Sequence, residues 1–218
     1  MRDATINMAR IAWPVTSLGP GRRLALWVAG CPLDCRGCIT PELQPPAAGR
    51  AIAVQALARH ILAVPMPLDG VTLTGGEPFE QGPALAALWQ SLAAVRPAWD
   101  LLVFTGYPHR HLCGRLDARR LLGAADLLIA GPYLADRPGS FPLLASANQR
   151  MVALTERGRG LAARCDRPQP LANIGARGDG SGWLIGVLDE SSRRRLHRRL
   201  GVVPLAGRAM GEQEDIGG

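Results

Sequence analysis

Lysine is absent from this 218-residue chain: the 25 basic side chains are all arginine, against 18 acidic ones, for a formal net charge of +7. That absence removes whole chemistries. A pyridoxal Schiff base, a Walker A phosphate loop and a kinase nucleotide site each need a lysine amine. The strings HExxH and GxSxG are missing too, which removes the commonest zinc-protease and hydrolase signatures. No run approaches eighteen uncharged apolar residues. The greasiest stretches, residues 51–68 and 121–135, are broken by Arg59 and His60 and by Asp126. The N-terminal residues carry no apolar core of signal-peptide length. Cysteine is scarce and odd in number, five in all, unlike the spread, even set of a secreted disulfide scaffold. These absences predict a cytoplasmic protein with reduced thiols and no membrane contact.

What is present is an ordinary globular composition. Hydrophobic residues make up 47% and charged residues 20%, enough apolar side chain for one core. The arginines are spread along the chain, so no nucleic-acid partner is expected. The run Arg193–Arg195, with Arg198 and Arg199, reads as a solvated helix face. The complete lack of lysine is read as genome base composition.

Apolar segments alternate between two periods. Strands are predicted at Leu24–Ala29, Val71–Thr74, Leu101–Phe104 and Leu127–Ala130. Helices are predicted at Ala51–Val64, at Pro83–Val95 with Leu85, Leu88, Leu92 and Val95 on one face, and within 109–123. This order is that of parallel crossover units. Beyond residue 140 the pattern changes: Met151–Leu154 and Trp183–Leu188 read as strands, Gly175–Gly182 as a hairpin loop and Glu190–Leu200 as a polar helix. A full eight-unit barrel needs about 250 residues. The expected fold is therefore α/β, a partial, open (βα) barrel with a small C-terminal strand and helix extension. Its expected parts are a core over 1–156, an extension over 157–206 and a disordered tail over 207–218.

Two motifs carry chemistry. Cys31-Pro-Leu-Asp-Cys35-Arg-Gly-Cys38 follows directly on a buried strand, where parallel α/β folds place their sites. Three thiolates on one tight loop can hold three corners of a cubane cluster, whereas ferredoxin-type binding takes four cysteines. The next cysteine is Cys113, so one iron would stay open to another ligand. Zinc would need a fourth protein ligand, and no histidine precedes His60. The second motif, Thr74-Gly75-Gly76-Glu77-Pro78, ends the next strand. Cys113 and Cys165 are too few for a second cluster and read as idle or buried thiols.

CxxxCxxC followed by GGEP resembles the radical S-adenosylmethionine (SAM) enzymes. In order, LALWVAGCPLDCRGCITPEL, TLTGGEP, VFTGY, DLLIAGPY and SANQR resemble the anaerobic ribonucleotide reductase activating branch, over roughly residues 5–190. The resemblance implies a [4Fe–4S] cluster on Cys31, Cys35 and Cys38, with SAM on the open iron. It implies SAM contacts at Gly75, Gly76, Glu77 and Pro78, with Glu77 fixing the turn, and a nucleoside flanked by Thr105, Gly106 and Tyr107. Glycine lets the backbone approach closely, so a bulky residue at Gly76 is expected to weaken SAM binding while sparing the cluster. Asn148 and Gln149 match a conspicuous polar pair of the branch without an assignable role. The implied activity is reductive cleavage of SAM and hydrogen abstraction from a glycine of a partner enzyme, with flavodoxin or ferredoxin as electron donor. The implied partner surface is a rim of Asp34, Arg36 and Gly131–Phe141.

The chain departs from the branch at Ala130, where an acidic residue is common, and in its added tail. A radical SAM enzyme acting on a peptide or another substrate therefore stays open. So does an iron–sulfur carrier without SAM chemistry, against which the GGEP string argues.

Overall fold

The computed structural model describes residues 4–139, 143–168, 170–176 and 182–188, together with Arg195 and Arg198. Seven strands form one sheet: β1 (Thr5–Val15), β2 (Arg23–Val28), β3 (Arg50–Ala53), β4 (Gly70–Gly75), β5 (Asp100–Thr105), β6 (Leu127–Ala130) and β7 (Arg150–Ala153). Their spatial order is β3-β1-β2-β4-β5-β6-β7. The inner four, β2, β4, β5 and β6, run parallel, while β1, β3 and β7 join antiparallel. A separate antiparallel hairpin pairs β8 (Asn173–Ala176) with β9 (Gly182–Ile185). The fold is α/β, and the sheet is not closed.

The inner strands are buried along most of their length because both faces of the sheet are covered. Every residue of Arg-Leu-Ala-Leu-Trp-Val in β2 is buried, as expected of a parallel strand covered on both faces. The crossover into β4 uses α1 (Val54–Leu62), which buries Val54, Leu57, Ala58 and Ile61, a three-and-four spacing that lays one stripe on the sheet. Next come α2 (Gly82–Val95), α3 (His109–Cys113) and α4 (Arg119–Ala124) before β6, and α5 (Glu156–Cys165) after β7. In α2, Leu85, Leu88 and Leu92 are buried as predicted, but Val95 is 52% exposed. It closes the helix just before the chain turns at Arg96, beyond the covered stripe.

Two differences from the sequence expectation concern the N-terminal edge. Residues 51–53, read as helix, belong to β3, which pairs Ile6 with Ile52 and Thr5 with Ala53. β1 itself was not anticipated, because its side chains are mostly half-buried and show no clear alternation. Backbone pairing decides both: an N–H row beside β2 must find acceptors, and β1 supplies them. The Gly175–Gly182 loop shrinks, since 175 and 176 already lie in β8. The helix at Glu190–Leu200 and the tail from 207 lie outside the described residues, apart from Arg195 and Arg198, which are helical and exposed. Among the described residues no helix is long and apolar enough to cross a membrane.

The two ends of the parallel strands have different characters. At their N-terminal ends Arg23 is fully buried. It donates to Thr72 Oγ1 at 2.6 Å and to the Val71 carbonyl at 2.7 Å, and pairs with Asp100 at 2.6 Å. Arg164 meets the other Asp100 oxygen at 3.0 Å. A buried charge held this way is a structural lock, because removing one partner strands the other. The C-terminal ends carry the cysteine and glycine motifs.

Candidate functional site

β2 runs into Gly30, and the cysteine loop turns on three residues of positive φ: Gly30 (96°), Asp34 (43°) and Gly37 (74°). Aspartate is one of the few side chains that enters this region readily. The base of the loop is pinned by Gly30 N–H to the Leu43 carbonyl and Cys31 N–H to the Gln44 carbonyl, each at 2.9 Å. Cys38 N–H closes a turn on the Cys35 carbonyl at 3.1 Å. All three thiols are half-buried, whereas Cys113 is exposed and Cys165 buried.

The end of β4 is folded onto this loop. Gly76 N–H donates to the Val28 carbonyl at 2.7 Å and Glu77 N–H to the Gly30 carbonyl at 2.9 Å. A Cβ on Gly76 would collide with the Gly30 backbone, and one on Gly75, where φ is +107°, would lie 2.5 Å from the Val28 carbonyl oxygen. Both glycines are thus required by the approach of two strand ends. The expectation that a larger residue at Gly76 leaves the cluster in place does not include this neighbour: its collision partner is the residue preceding Cys31.

Glu77 ties the next strand in. Its side chain has no exposed surface. Oε1 accepts from Phe79 N–H at 3.0 Å and Thr105 Oγ1 at 2.9 Å, and Oε2 accepts from Gly106 N–H at 2.8 Å. Burial pushes its carboxyl up to about 7, against the pull of those three donors. Thr105 thereby spends its hydroxyl proton, and Gly106 its amide, on Glu77 rather than on any ligand. Leu33 of the cysteine loop lies over Gly106 so closely that a Cβ there would overlap it.

These strand ends open on one cavity of about 850 Å³, lined by Cys31, Cys35, Cys38, Thr74, Gly75, Gly76, Glu77, Thr105 and Gly106. Pro78 and Tyr107 are not among its lining residues. Pro78 is buried at the first turn of a short 3₁₀ helix, Pro78–Gln81. Tyr107 donates its hydroxyl to Glu80 at 2.8 Å, stacks on His111 and lies beneath the Arg115 guanidinium. Gln149 does reach the cavity. With Asn148 it braces the turn after β6: Asn148 Nδ2 donates to the Pro132 carbonyl at 2.7 Å and Gln149 Nε2 to the Gly131 carbonyl at 3.1 Å. That turn touches the cysteine loop, since a Cβ on Gly37 would lie 3.1 Å from Ala135 Cβ. Asp34, Arg36, Ala135, Asp136 and Arg137 are all exposed at this rim, and residues 140–141 lie outside the described residues.

Sequence reasoning missed the far wall, which is apolar and comes from Leu18, Trp27, Phe104 and Leu143 and from Trp183–Leu188. The run Trp-Leu-Ile-Gly-Val-Leu, greasy within a polar extension, was the available signal. Arg198, read as part of a solvated face, also borders the cavity.

Burial raises the pKa of the Cys31 and Cys38 thiols, and nearby negative charge adds to the rise, from Glu77 and Cys35 at Cys31 and from Cys35 and Glu42 at Cys38. Such thiols give up their protons to a cation that compensates the charge. Among the described residues no three His, Cys, Asp or Glu side chains are gathered closely enough to hold a single metal ion. Three thiols lining one cavity fit three corners of a body of several irons.

A family model described as a 4Fe-4S single cluster domain matches residues 17–152. The chain belongs to this single-cluster family. Within it, the chain is 32% identical over 145 residues to the anaerobic ribonucleoside-triphosphate reductase-activating protein of Pasteurella multocida, covering 63% of this chain and 91% of that protein. The activating protein of that name from Enterobacteria phage T4 is 29% identical over 143 residues (63% and 88%), and that of Vibrio cholerae 31% over 141 residues (60% and 87%). The family match ends at residue 152, before α5 and the hairpin.

Proposed function

We propose that this single-cluster protein is a radical SAM activase that generates a glycyl radical on an anaerobic ribonucleotide reductase. The observation that carries the reading is the convergence of the three-cysteine loop and the GGE turn on one cavity. Cys31, Cys35 and Cys38 would hold the [4Fe–4S] cluster, and these three thiols would leave room for SAM as a further ligand. The chemistry that the bound cluster and SAM supply is reductive cleavage to methionine and a 5′-deoxyadenosyl radical able to take a hydrogen atom from a glycine. The protein's own part is positional. Gly75 and Gly76 present bare backbone to the methionine moiety. Glu77 holds the ends of β4 and β5 together, so Thr105 and Gly106 would flank the nucleoside with the hydroxyl and the amide already committed to Glu77. The apolar wall keeps water from a reactive species.

We read the four parallel strands with their crossovers as a partial, open barrel working in the cytoplasm, with flavodoxin or ferredoxin as electron donor. A cavity of about 850 Å³ is within the range that holds one small ligand.

Anaerobic reconstitution, iron counting and assay of 5′-deoxyadenosine test the reading. About four irons per chain are expected, with 5′-deoxyadenosine formed on reduction in the presence of SAM. Replacing Cys31, Cys35 or Cys38 by Ala abolishes the cluster, while Cys113→Ala and Cys165→Ala retain it. A reducible cluster that never cleaves SAM, even with a partner reductase present, would replace this reading with an electron carrier.

A further inference from the structure

The hairpin β8–β9 and the residues after it lie beyond the matched family core, yet six consecutive residues, Trp183–Leu188, line the cysteine cavity. The segment is fastened. Asn173 Oδ1 accepts from the backbone N–H of Thr16 at 2.9 Å and of Ser17 at 3.0 Å, and Asn173 Nδ2 donates to Thr16 Oγ1 at 3.1 Å. Ser17 Oγ lies 2.8 Å from Asn173 Oδ1 and 2.7 Å from the Ile185 carbonyl oxygen, so its one proton serves both. Asn173 and Ile185 face each other across the hairpin. One buried serine, 2% exposed, therefore grips both strands at the same rung. Just beyond it, Ile185 and Val187 pack on the apolar cluster of Val15, Leu18, Ala25, Trp27 and Leu43.

From this we infer that the C-terminal hairpin is a working wall of the cavity. Asn173 is the positioning residue that holds the wall shut over the cysteine loop. The β1–β2 connection, whose backbone amides at 16 and 17 would otherwise be unpaired, is its latch plate. The extension then governs what reaches the thiols, and whatever sits on them, from that side. Its functional meaning rests on the radical SAM reading. Its geometry does not, and the test separates the two.

The reduced, cluster-free full-length chain is pulse-labelled with iodoacetamide and each cysteine peptide quantified by mass spectrometry. Cys113, exposed, and Cys165, buried, are the internal references. In Asn173→Ala the labelling rates of Cys31, Cys35 and Cys38 relative to Cys113 rise about tenfold, because the hydrogen bonds that oppose local opening are lost. In Asn173→Asp, which keeps the acceptor for all three donors, the rates return close to wild type. Unchanged rates in Asn173→Ala overturn the inference. If Cys165 accelerates in step, the whole chain has loosened. Ser17→Ala then decides, since it removes the shared hydroxyl and spares the two amides. A selective rise at the three cysteines in that variant upholds the wall, and no rise overturns it.

Discussion

Gly76 and Glu77 sit side by side and do different work. Gly76 has no room for a Cβ because Gly30 is already there. Gly76→Val is therefore expected to cost roughly 1–3 kcal/mol in stability from overpacking. It should also lower iron loading together with SAM binding, which iron counting on the reconstituted variant checks. Normal iron with SAM binding alone impaired would return Gly76 to a purely ligand-facing role. Glu77 makes stability depend on pH. Its folded carboxyl titrates near 7, above the ordinary glutamate value of about 4.3 in the unfolded chain. The folded state then holds the extra proton, and stability falls as pH rises through that window. Melting the cluster-free chain at pH 5 and at pH 8 should show a larger drop in Tm for wild type than for Glu77→Gln. Equal drops would mean that Glu77 does not titrate there.

Among the elements, α5 shows how the matched core is joined to the C-terminal extension. Thr155 accepts from Gly158 N–H at 2.9 Å as the helix N-cap and donates to Asp126 Oδ1 at 2.6 Å. Asp126 Oδ2 accepts from Leu101 N–H at 2.9 Å. A cap, a strand start and a loop aspartate are thus one chain of bonds at the N-terminal ends of the strands, away from the cysteines. Thr155→Ala should lower stability by about 1–2 kcal/mol, the usual cost of losing such a cap, read as a shift in urea midpoint. Iron loading should stay unchanged. Loss of iron as well would show that α5 is coupled to the cysteine end. Element boundaries depend on neighbours in the same way. Ala-Ile-Ala at 51–53 suits helix or strand equally, and only β1 alongside it makes it strand.

On the scale of the molecule, stability and chemistry are sorted to opposite ends of the parallel strands. Arg23 and Asp100 lock one end, and the thiols and glycines occupy the other. The chemical end has an exposed rim where the cysteine loop meets the turn after β6, with Arg36 and Arg137 both in solvent. Charge reversal at either should slow radical formation on the partner reductase about tenfold at low salt, as expected when a steering charge is inverted. SAM cleavage without the partner should be unchanged. Equal loss of both activities would show that these arginines serve the cofactor site instead.

The cysteine loop, the GGEP turn and the order of parallel strands were legible residue by residue, because each rests on local chemistry: thiols on one tight turn, glycines where the backbone must approach, apolar runs that only a covered sheet can bury. The tertiary structure decided what depends on distant neighbours. It placed Pro78 and Tyr107 outside the cavity and gave the Thr105 hydroxyl to Glu77. It turned Asn148 and Gln149 into braces for the turn after β6 and brought the C-terminal hairpin round as a wall. A hydrogen bond between residues 17 and 173 leaves no periodicity in the chain. It exists because two backbone amides and a buried hydroxyl between β1 and β2 require partners that water cannot reach.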